Sequence, residues 1–295
     1  MRQLIVNADD LGLTAGVNRA IAETHAGGVV TSTTLMATGA AFSDAVERVK
    51  AAPELSVGCH VVIVDGAPLS DPAAIDTLLA IRSAEPERFY SKLSNVASRA
   101  VFGGFDRDQL VEEITAQIRK LQSSGITVTH LDTHKHTHIF PGILWAVVRA
   151  ARICGVPAIR NPFVPLRAMA TRILRQKPGL LKRYGQVRAL RSFGSQFQAK
   201  MRRAGLRTPD GTVGVVETGS IDASLLQHSL LNLPDGTWEL VCHPGYDDAD
   251  LRTARTRLLA SREEERRILV SPELKVFLRQ QGIQLISYRQ FVAGS

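Results

Sequence analysis

The sequence predicts an α/β protein folded as a distorted (β/α) barrel with about seven parallel strands. Short apolar segments rich in β-branched residues alternate with amphipathic segments, the order that builds a parallel sheet covered by helices. No repeat, low-complexity tract or linker divides this series, so residues 1–295 are expected to form one domain. Neither a Gly-x-Gly-x-x-Gly motif nor a P-loop occurs, which argues against an open nucleotide-binding sheet.

The individual elements follow from periodicity and from the residues that end them. Strands are predicted at residues 4–7, 29–38, 56–64, 126–131, 157–159, 212–216, 238–242 and 283–288. Helices are predicted at residues 14–26, 42–52, 108–122, 143–153, near 225, 262–268 and 272–281. Residues 71–105 contain prolines and a glycine pair, which predict an irregular excursion over one rim.

Composition excludes several classes of protein. A hydrophobic content of 44% with 22% charged residues is typical of a globular chain, and no apolar run reaches the ~20 residues that cross a bilayer. The three cysteines, Cys59, Cys154 and Cys242, are too widely spaced for a disulfide framework or a zinc knuckle. No signal-peptide-like segment follows Met1, so a cytoplasmic location is the default expectation.

The net charge of +8 comes from one segment. Thirteen of the 36 Lys and Arg residues lie between Arg160 and Arg207, where no acidic residue occurs. The other 23 basic residues are outnumbered by the 28 acidic ones. We therefore expect a basic helical excursion at about residues 165–207, attached to a barrel that is slightly acidic elsewhere.

Chemically active side chains stand at the carboxyl ends of the predicted strands, where parallel barrels carry their active sites. Asp9 and Asp10 close the first strand, His60 lies on the third, and His243 follows the strand at 238–242. Neighbours on an extended chain point in opposite directions, so one aspartate is expected at a metal and the other at the attacking water. Such a set predicts a divalent metal with a separate acid and base.

Four of the eight histidines lie within nine residues, after the strand at 126–131. A solvated loop has little reason to gather them, so this cluster is the strongest single indication of a metal site. Residue alternation nominally puts all four on one side, together with Asp132, and does not choose among them. The four are His130, His134, His136 and His138. Imidazole and carboxylate ligands suit zinc, and an oxygen-rich shell also suits magnesium.

Four stretches together resemble the YdjC-like (ChbG/HpnK) carbohydrate deacetylases, in the right order along the whole chain. They are Asn7-Ala8-Asp9-Asp10-Leu11-Gly12, Gly58-Cys59-His60-Val61-Val62, Thr129-His130-Leu131-Asp132-Thr133-His134-Lys135-His136 and Cys242-His243-Pro244-Gly245-Tyr246. The resemblance implies a polysaccharide-deacetylase-like barrel, one divalent metal, and removal of acetyl from an N-acetylglucosamine-type sugar.

The resemblance also implies a role for each matching residue. Asp10, His60 and His134 would bind the metal, Asp9 would be the base, and His243 the acid that protonates the leaving amine. Asp132 would orient a ligand or contact substrate. His136 is a reserve ligand or substrate contact. Arg160 is a candidate contact for a sugar oxygen, with a structural ion pair as the alternative.

The run Val61-Val62-Ile63-Val64-Asp65-Gly66 departs from the general family and resembles the HpnK branch, which is associated with hopanoid lipids. The basic segment points the same way, because apolar residues alternate with its cations and could lie on an anionic membrane. These apolar residues are Leu174, Leu180, Leu181, Leu190, Phe193, Phe197 and Met201. A plain solvated excursion is the alternative, and nucleic acid is not expected, since no aromatic stacking pattern accompanies the charge.

Three hypotheses remain at this stage. The first is a metal-dependent deacetylase acting on an N-acetylated sugar or glycolipid, peripheral to the inner membrane face. The second is a metal-dependent phosphoesterase on the same barrel, which usually needs more bridging carboxylates. The third is a non-catalytic basic binding protein, which would not require an intact acid, base and ligand set. A homodimer is left open.

Overall fold

The computed structural model describes residues 1–80, 88–165, 178–181, 184–185 and 193–294. The strands are β1 Arg2–Leu11, β2 Ser32–Leu35, β3 Ser56–Val61, β4 Val128–Thr133, β5 Gly211–Val213, β6 Gly236–Cys242 and β7 Ile283–Ile286. The helices are α1 Ala15–Ala26, α2 Phe42–Ala51, α3 Leu93–Val101, α4 Arg107–Ser123, α5 Pro141–Ile153, α6 Gly194–Ala204, α7 Ala223–Leu231, α8 Ala249–Thr253, α9 Ala260–Val270, α10 Pro272–Gln280 and α11 Tyr288–Ala293.

The seven strands form one parallel sheet in the order β4-β3-β2-β1-β6-β5. Strand β7 pairs with the first half of β1, from Arg2 to Ile5, while β2 pairs with its second half. Residues 157–163 join the two outer strands: the Arg160 N–H donates to Leu131 on β4, and Phe163 accepts from Thr212 on β5. The predicted distorted barrel of about seven strands is confirmed.

Strand alternation gives the barrel an apolar outside and a polar inside. Leu4, Val6 and Ala8 on β1 belong to the main hydrophobic core, which lies between the sheet and the helices. The alternate residues Asn7 and Asp9 are equally buried but bond to other polar side chains. The first strand therefore already contributes polar side chains to the inside of the barrel.

Several boundaries differ from the sequence predictions. The predicted strand at 157–159 makes only isolated bridges, and the irregular excursion contains helix α3. The last strand ends before Ser287, because the Ser287 hydroxyl accepts the Gln290 N–H and begins helix α11 instead. Thr14 caps α1 as predicted, its hydroxyl accepting from the Val17 N–H.

The basic segment is described only in part. Residues 166–177, 182–183 and 186–192 of the predicted excursion, with Leu174 and Leu190, lie outside the described residues. Within the described part, Phe197 and Met201 on α6 are packed into the main core, and Leu180 is buried in a smaller cluster. The expectation that these three face a membrane is wrong, since the barrel already covers them. Among the helices described, none is long and apolar enough to span a bilayer.

Met201→Ala tests this packing. Because Met201 has no exposed surface, we expect its truncation to lower the free energy of unfolding by about 2–4 kcal/mol, measured by urea denaturation. Phe193→Ala is the control, as its ring is 51% exposed at the start of the same helix. Equal small losses for both variants would contradict the packing.

Candidate metal and catalytic site

Three donor atoms converge at one end of the barrel. The Asp10 Oδ1 atom lies 3.3 Å from His60 Nε2 and 3.5 Å from His134 Nδ1, and the two nitrogens are 3.2 Å apart. Donors that share one divalent ion at ~2.1 Å lie about 3.0–3.4 Å from each other. These three residues, which we call the ligand triangle, therefore have the dimensions of one face of a metal site.

A buried hydrogen bond fixes the orientation of the His60 ring. The Asp132 Oδ1 atom lies 2.8 Å from His60 Nδ1, and the Thr34 hydroxyl lies 3.2 Å from the same nitrogen. With the Nδ1 proton donated to Asp132, the Nε2 lone pair is directed at the ligand triangle. The sequence suggested Asp132 as a residue that orients a ligand, and the candidate ligand that it contacts is His60.

Asp9 does not join the triangle but forms a two-pronged ion pair with Arg160. Its carboxylate oxygens lie 2.8 and 2.6 Å from two guanidinium nitrogens, and Asn7 donates a further hydrogen bond at 2.9 Å. Thus the two adjacent aspartates are divided between different partners. Asp10 has φ of 68°, so both side chains reach one cavity, and the alternation argument for their division was wrong.

The Arg160 guanidinium is a structural hub without exposed surface. Besides Asp9, it contacts Asp132 at 2.5 Å and Glu239 at 2.7 Å. The expectation that Arg160 or Asp132 contacts substrate is wrong, because neither side chain is exposed and each is paired with an opposite charge. The geometry of Arg160 agrees with the alternative, a structural ion pair.

Carboxyl groups outnumber guanidinium groups in this interior. The buried carboxyl groups that contact Arg160 or Arg262 directly are Asp9, Asp10, Asp132 and Glu239. Arg160 contacts three of them, and Arg262 binds Asp10 at 2.5 Å. When all four are ionised, they carry two more negative charges than the two guanidinium groups neutralise, which is the charge of one divalent cation. Burying unbalanced charge is strongly unfavourable, so the donor set fits a metal ion.

The pKa values indicate which groups of the site are charged. Burial alone would raise the pKa of Asp9, but the Arg160 guanidinium holds it well below its usual range. Asp10 behaves similarly, with Arg262 holding its pKa down against burial. Burial alone would lower the pKa of His60, yet Asp132 and Asp10 raise it well above the ordinary value. The site therefore attracts positive charge.

The described residues also contain a second donor group, formed by Asp9, His60 and Asp132. It shares His60 with the ligand triangle, and both of its carboxylates are already paired with Arg160. Arg160 therefore already supplies the positive charge that a metal ion would bring to this second group. The geometry favours one metal at the ligand triangle over two.

Two of the clustered histidines are structural. His130 is buried, stacks on Tyr288 at 3.5 Å between ring centres, and lies 3.1 Å from the Asn7 Oδ1 atom. Gly58 leaves room for this ring, since a Cβ there would come within 2.6 Å of it. His138 is held by Thr133 and the Arg160 carbonyl, and burial lowers its pKa to about 3. Neither ring is available to the cavity.

The choice among the histidines depends on where β4 ends. The strand stops at Thr133, and residues His134–Ile139 form a 3-10 turn in which Lys135 and His136 adopt left-handed backbone. Alternation therefore does not continue past Thr133, and the expectation of one common side was wrong. His134 joins the ligand triangle, whereas His136 lines the cavity and its Nδ1 atom is buried without a hydrogen-bond partner.

His243 lies between two carboxyl groups. Its Nε2 atom is 4.0 Å from Asp9 Oδ2, and its Nδ1 atom is 4.0 Å from Glu265 Oε2, which accepts the His243 backbone N–H at 2.6 Å. Burial lowers the pKa of His243 to about 4 and raises the pKa of Glu265 to about 7. At neutral pH His243 is therefore neutral, whereas Glu265 is close to the midpoint of its titration.

A cavity of about 590 Å³ opens over these groups. Asp9, Asp10, His60, His134, His136 and His243 line it, together with loop residues from both sides. The structure thus gathers the predicted acid, base and ligands around one space large enough for a small molecule. Arg160 and Asp132 lie behind this wall.

Sequence reasoning missed three residues of the site. Glu239 stands alone among apolar neighbours on β6, a position where a charge would need a buried partner. Arg262 and Glu265 lie in the helix predicted at residues 262–268, where neither was given a role. Their spacing of three residues, continued by Ile268, puts them on the buried face of α9, and this was the available signal.

Comparisons with known proteins cover almost the whole chain. The family model described as YdjC-like protein matches residues 3–280. A carbohydrate deacetylase of Thermoanaerobacter pseudethanolicus is 29% identical over 288 residues, and one of Geobacillus stearothermophilus is 31% identical over 291, each covering 98% of both chains. A solved structure from Enterococcus faecalis V583, provisionally described as a cellobiose-phosphate cleavage protein, matches with TM-score 0.74 and 26% identity over 99% of both chains.

Glu265→Gln tests the raised pKa of Glu265. The pKa of Glu265 rises from an ordinary 4.5 to about 7, so its contribution to stability is full below pH 4.5 and is lost as pH rises through 7. We expect the free energy of unfolding of the wild type, minus that of Glu265→Gln, to fall by roughly 1–3 kcal/mol between pH 5 and pH 7.5 in urea titrations, because only the wild type loses a proton there. Glu264→Gln, on the exposed face of the same helix, is the control. A difference that does not vary with pH would contradict the assignment.

Proposed function

The chain belongs to the YdjC-like protein family, and we propose that it is a metal-dependent hydrolase that removes acetyl from an N-acetylated sugar. The resemblance of the four motifs is confirmed at the level of the family. One observation carries the proposal: the ligand triangle opens into the same cavity as Asp9 and His243. Both relatives at about 30% identity are named carbohydrate deacetylases, which supports the reaction class.

Asp10, His60 and His134 would hold the metal. A divalent ion there would supply an electrophile for the acetamide carbonyl and lower the pKa of a water molecule. Arg262 holds the second oxygen of Asp10, and Asp132 holds the far nitrogen of His60, so the protein orients two of the three ligands. Magnesium and zinc both remain candidates.

Asp9 is the proposed base. Its ion pair with Arg160 keeps it ionised, and the same contact fixes its orientation toward the cavity. Asp9 accepts a proton as water attacks the acetamide carbon, forming a tetrahedral intermediate. A carboxylate of such low pKa is a weak base, so this step depends on the water being made acidic.

His243 is the proposed acid, with Glu265 as its proton source. Glu265 gives its proton to Nδ1 of His243 while Nε2 donates to the amine nitrogen, and the C–N bond breaks to release acetate and the free amine. Both side chains are buried, and His243 Nδ1 lies 4.0 Å from Glu265 Oε2, so this transfer requires the two groups to move into hydrogen-bond distance. Glu265 therefore acts through His243 and is a positioning residue.

The substrate can be narrowed to a sugar on a lipid of the hopanoid type. The Val61–Gly66 run supports this only by its resemblance to the HpnK branch. Leu181 and Phe193 are the described apolar residues of the basic segment that are exposed, and they are the remaining candidates for contact with an anionic membrane. Comparing acetate release from an N-acetylglucosaminyl lipid and from soluble N,N′-diacetylchitobiose tests the assignment, and a preference for the soluble sugar would reject it.

Asp9→Asn and His134→Ala separate the base from the ligands. We expect Asp9→Asn to retain about one metal per chain while acetate release falls by at least about 100-fold. His134→Ala is expected to lose the metal and the activity together. Metal content by mass spectrometry and acetate release, each with and without chelator, are the measurements.

His136→Ala is the matched control, because His136 lines the cavity near the ligand triangle without belonging to it. It should keep its metal. A stoichiometric metal in His134→Ala, or loss of metal in Asp9→Asn, would contradict the roles proposed here. Acetate release that is insensitive to chelator would reject metal dependence.

A further inference from the structure

Left-handed backbone is concentrated at the cavity. In the part of the chain that is described, the non-glycine residues with positive φ are Asp10, Asp65, Lys135 and His136. All four line the same cavity. This backbone conformation is unfavourable for residues with a side chain, so the surrounding structure must hold them there. Asp10 is a proposed metal ligand and the sequence made His136 a candidate ligand or substrate contact, whereas Asp65 and Lys135 have no role so far.

Asp65 and Lys135 bind each other across the cavity wall. The Lys135 Nζ atom lies 2.9 Å from Asp65 Oδ2, and the pair joins the loop after β3 to the turn after β4. The Lys135 side chain is 34% exposed and that of Asp65 is 14% exposed, so both remain accessible from the cavity. The backbone around Asp65 is fixed, because its N–H donates to Tyr90 and the neighbouring Gly66 carbonyl accepts from Phe89.

Stability does not account for this arrangement. A partly exposed ion pair stabilises a fold by less than two left-handed residues destabilise it. A lysine in ordinary backbone at the same rim could make an equivalent surface pair. The ion pair alone therefore does not explain the left-handed backbone of Asp65 and Lys135. Its better explanation is that it puts the carboxylate and the ammonium at the wall of the cavity.

We propose that Asp65 and Lys135 form a specificity subsite that binds the hydroxyl groups of the sugar whose acetamide reaches the ligand triangle. A hydroxyl both donates and accepts a hydrogen bond, so adjacent hydroxyls match an ammonium donor beside a carboxylate acceptor. The pair has no net charge, which suits a neutral sugar ring. The inference rests on the proposed function. It also gives a role to Asp65 in the run from Val61 to Gly66, which departs from the general family.

Binding of N,N′-diacetylchitobiose by calorimetry tests the subsite directly. The metal-loaded Asp9→Asn protein is the background, because it is expected to bind without turnover. Adding Lys135→Gln or Asp65→Asn should weaken binding by about 10- to 100-fold, since each removes a hydrogen bond to a charged group. Metal content and melting temperature should stay unchanged. In the otherwise wild-type enzyme, each change should raise KM more than it lowers kcat.

Two controls separate substrate binding from a structural role. Arg252→Gln breaks an ion pair of the same 2.9 Å length with Asp247, away from the cavity, and should not affect binding. The reversed pair Asp65→Lys with Lys135→Asp restores a salt bridge but exchanges donor and acceptor, so we expect affinity to stay low.

Unchanged affinity in the single variants, or recovery of affinity in the reversed pair, would overturn the subsite. Absence of any binding to the Asp9→Asn background would overturn it as well. Failure of the proposed function is distinct, since it would appear as no acetate release by the wild-type enzyme, whatever the binding data.

Discussion

The buried guanidinium of Arg160 is the interaction on which the rest of the site depends. It lies within the segment at residues 157–163 that joins the two outer strands, and it binds carboxylates from β1, β4 and β6 at once. It therefore ties together strands that are distant in sequence and fixes the orientation of Asp9. The carboxylates still outnumber the buried arginines, and this excess makes the interior a place for a cation.

Arg160 and Arg262 also explain how the neighbouring aspartates can have different roles. Arg160 binds Asp9 through two guanidinium nitrogens, whereas Arg262 on α9 binds one oxygen of Asp10 and leaves the other in the ligand triangle. The left-handed backbone at Asp10 makes this division possible, because it lets adjacent side chains enter one cavity. Helix α9 contributes Glu265 to His243 as well, so one helix serves both the ligand and the acid.

Local sequence features were sufficient for much of this architecture. Alternating apolar segments predicted the parallel barrel, and the placement of Asp9, Asp10, His60 and His243 after strands predicted that they would meet. Alternation failed where strand β4 gives way to a tight turn, and the choice of His134 depended on resemblance to a family.

Long-range packing could not be predicted from sequence alone. That Arg262 reaches Asp10, 252 positions away, depends on how α9 packs against the barrel. The basic segment misled for a related reason: its charge suggested a surface, but Phe197 and Met201 lie under it in the core. Periodicity describes which face of a helix is apolar, and it does not say what covers that face.

The most direct test of the central claim is an anomalous diffraction map from crystals grown with zinc or manganese. The account predicts one peak about 2.0–2.2 Å from Asp10 Oδ1, His60 Nε2 and His134 Nδ1. Asp9 should keep its contact with Arg160, and His130 should stay stacked on Tyr288. A peak held by Asp9, His60 and Asp132, or a triangle without metal at saturating concentration, would contradict the account.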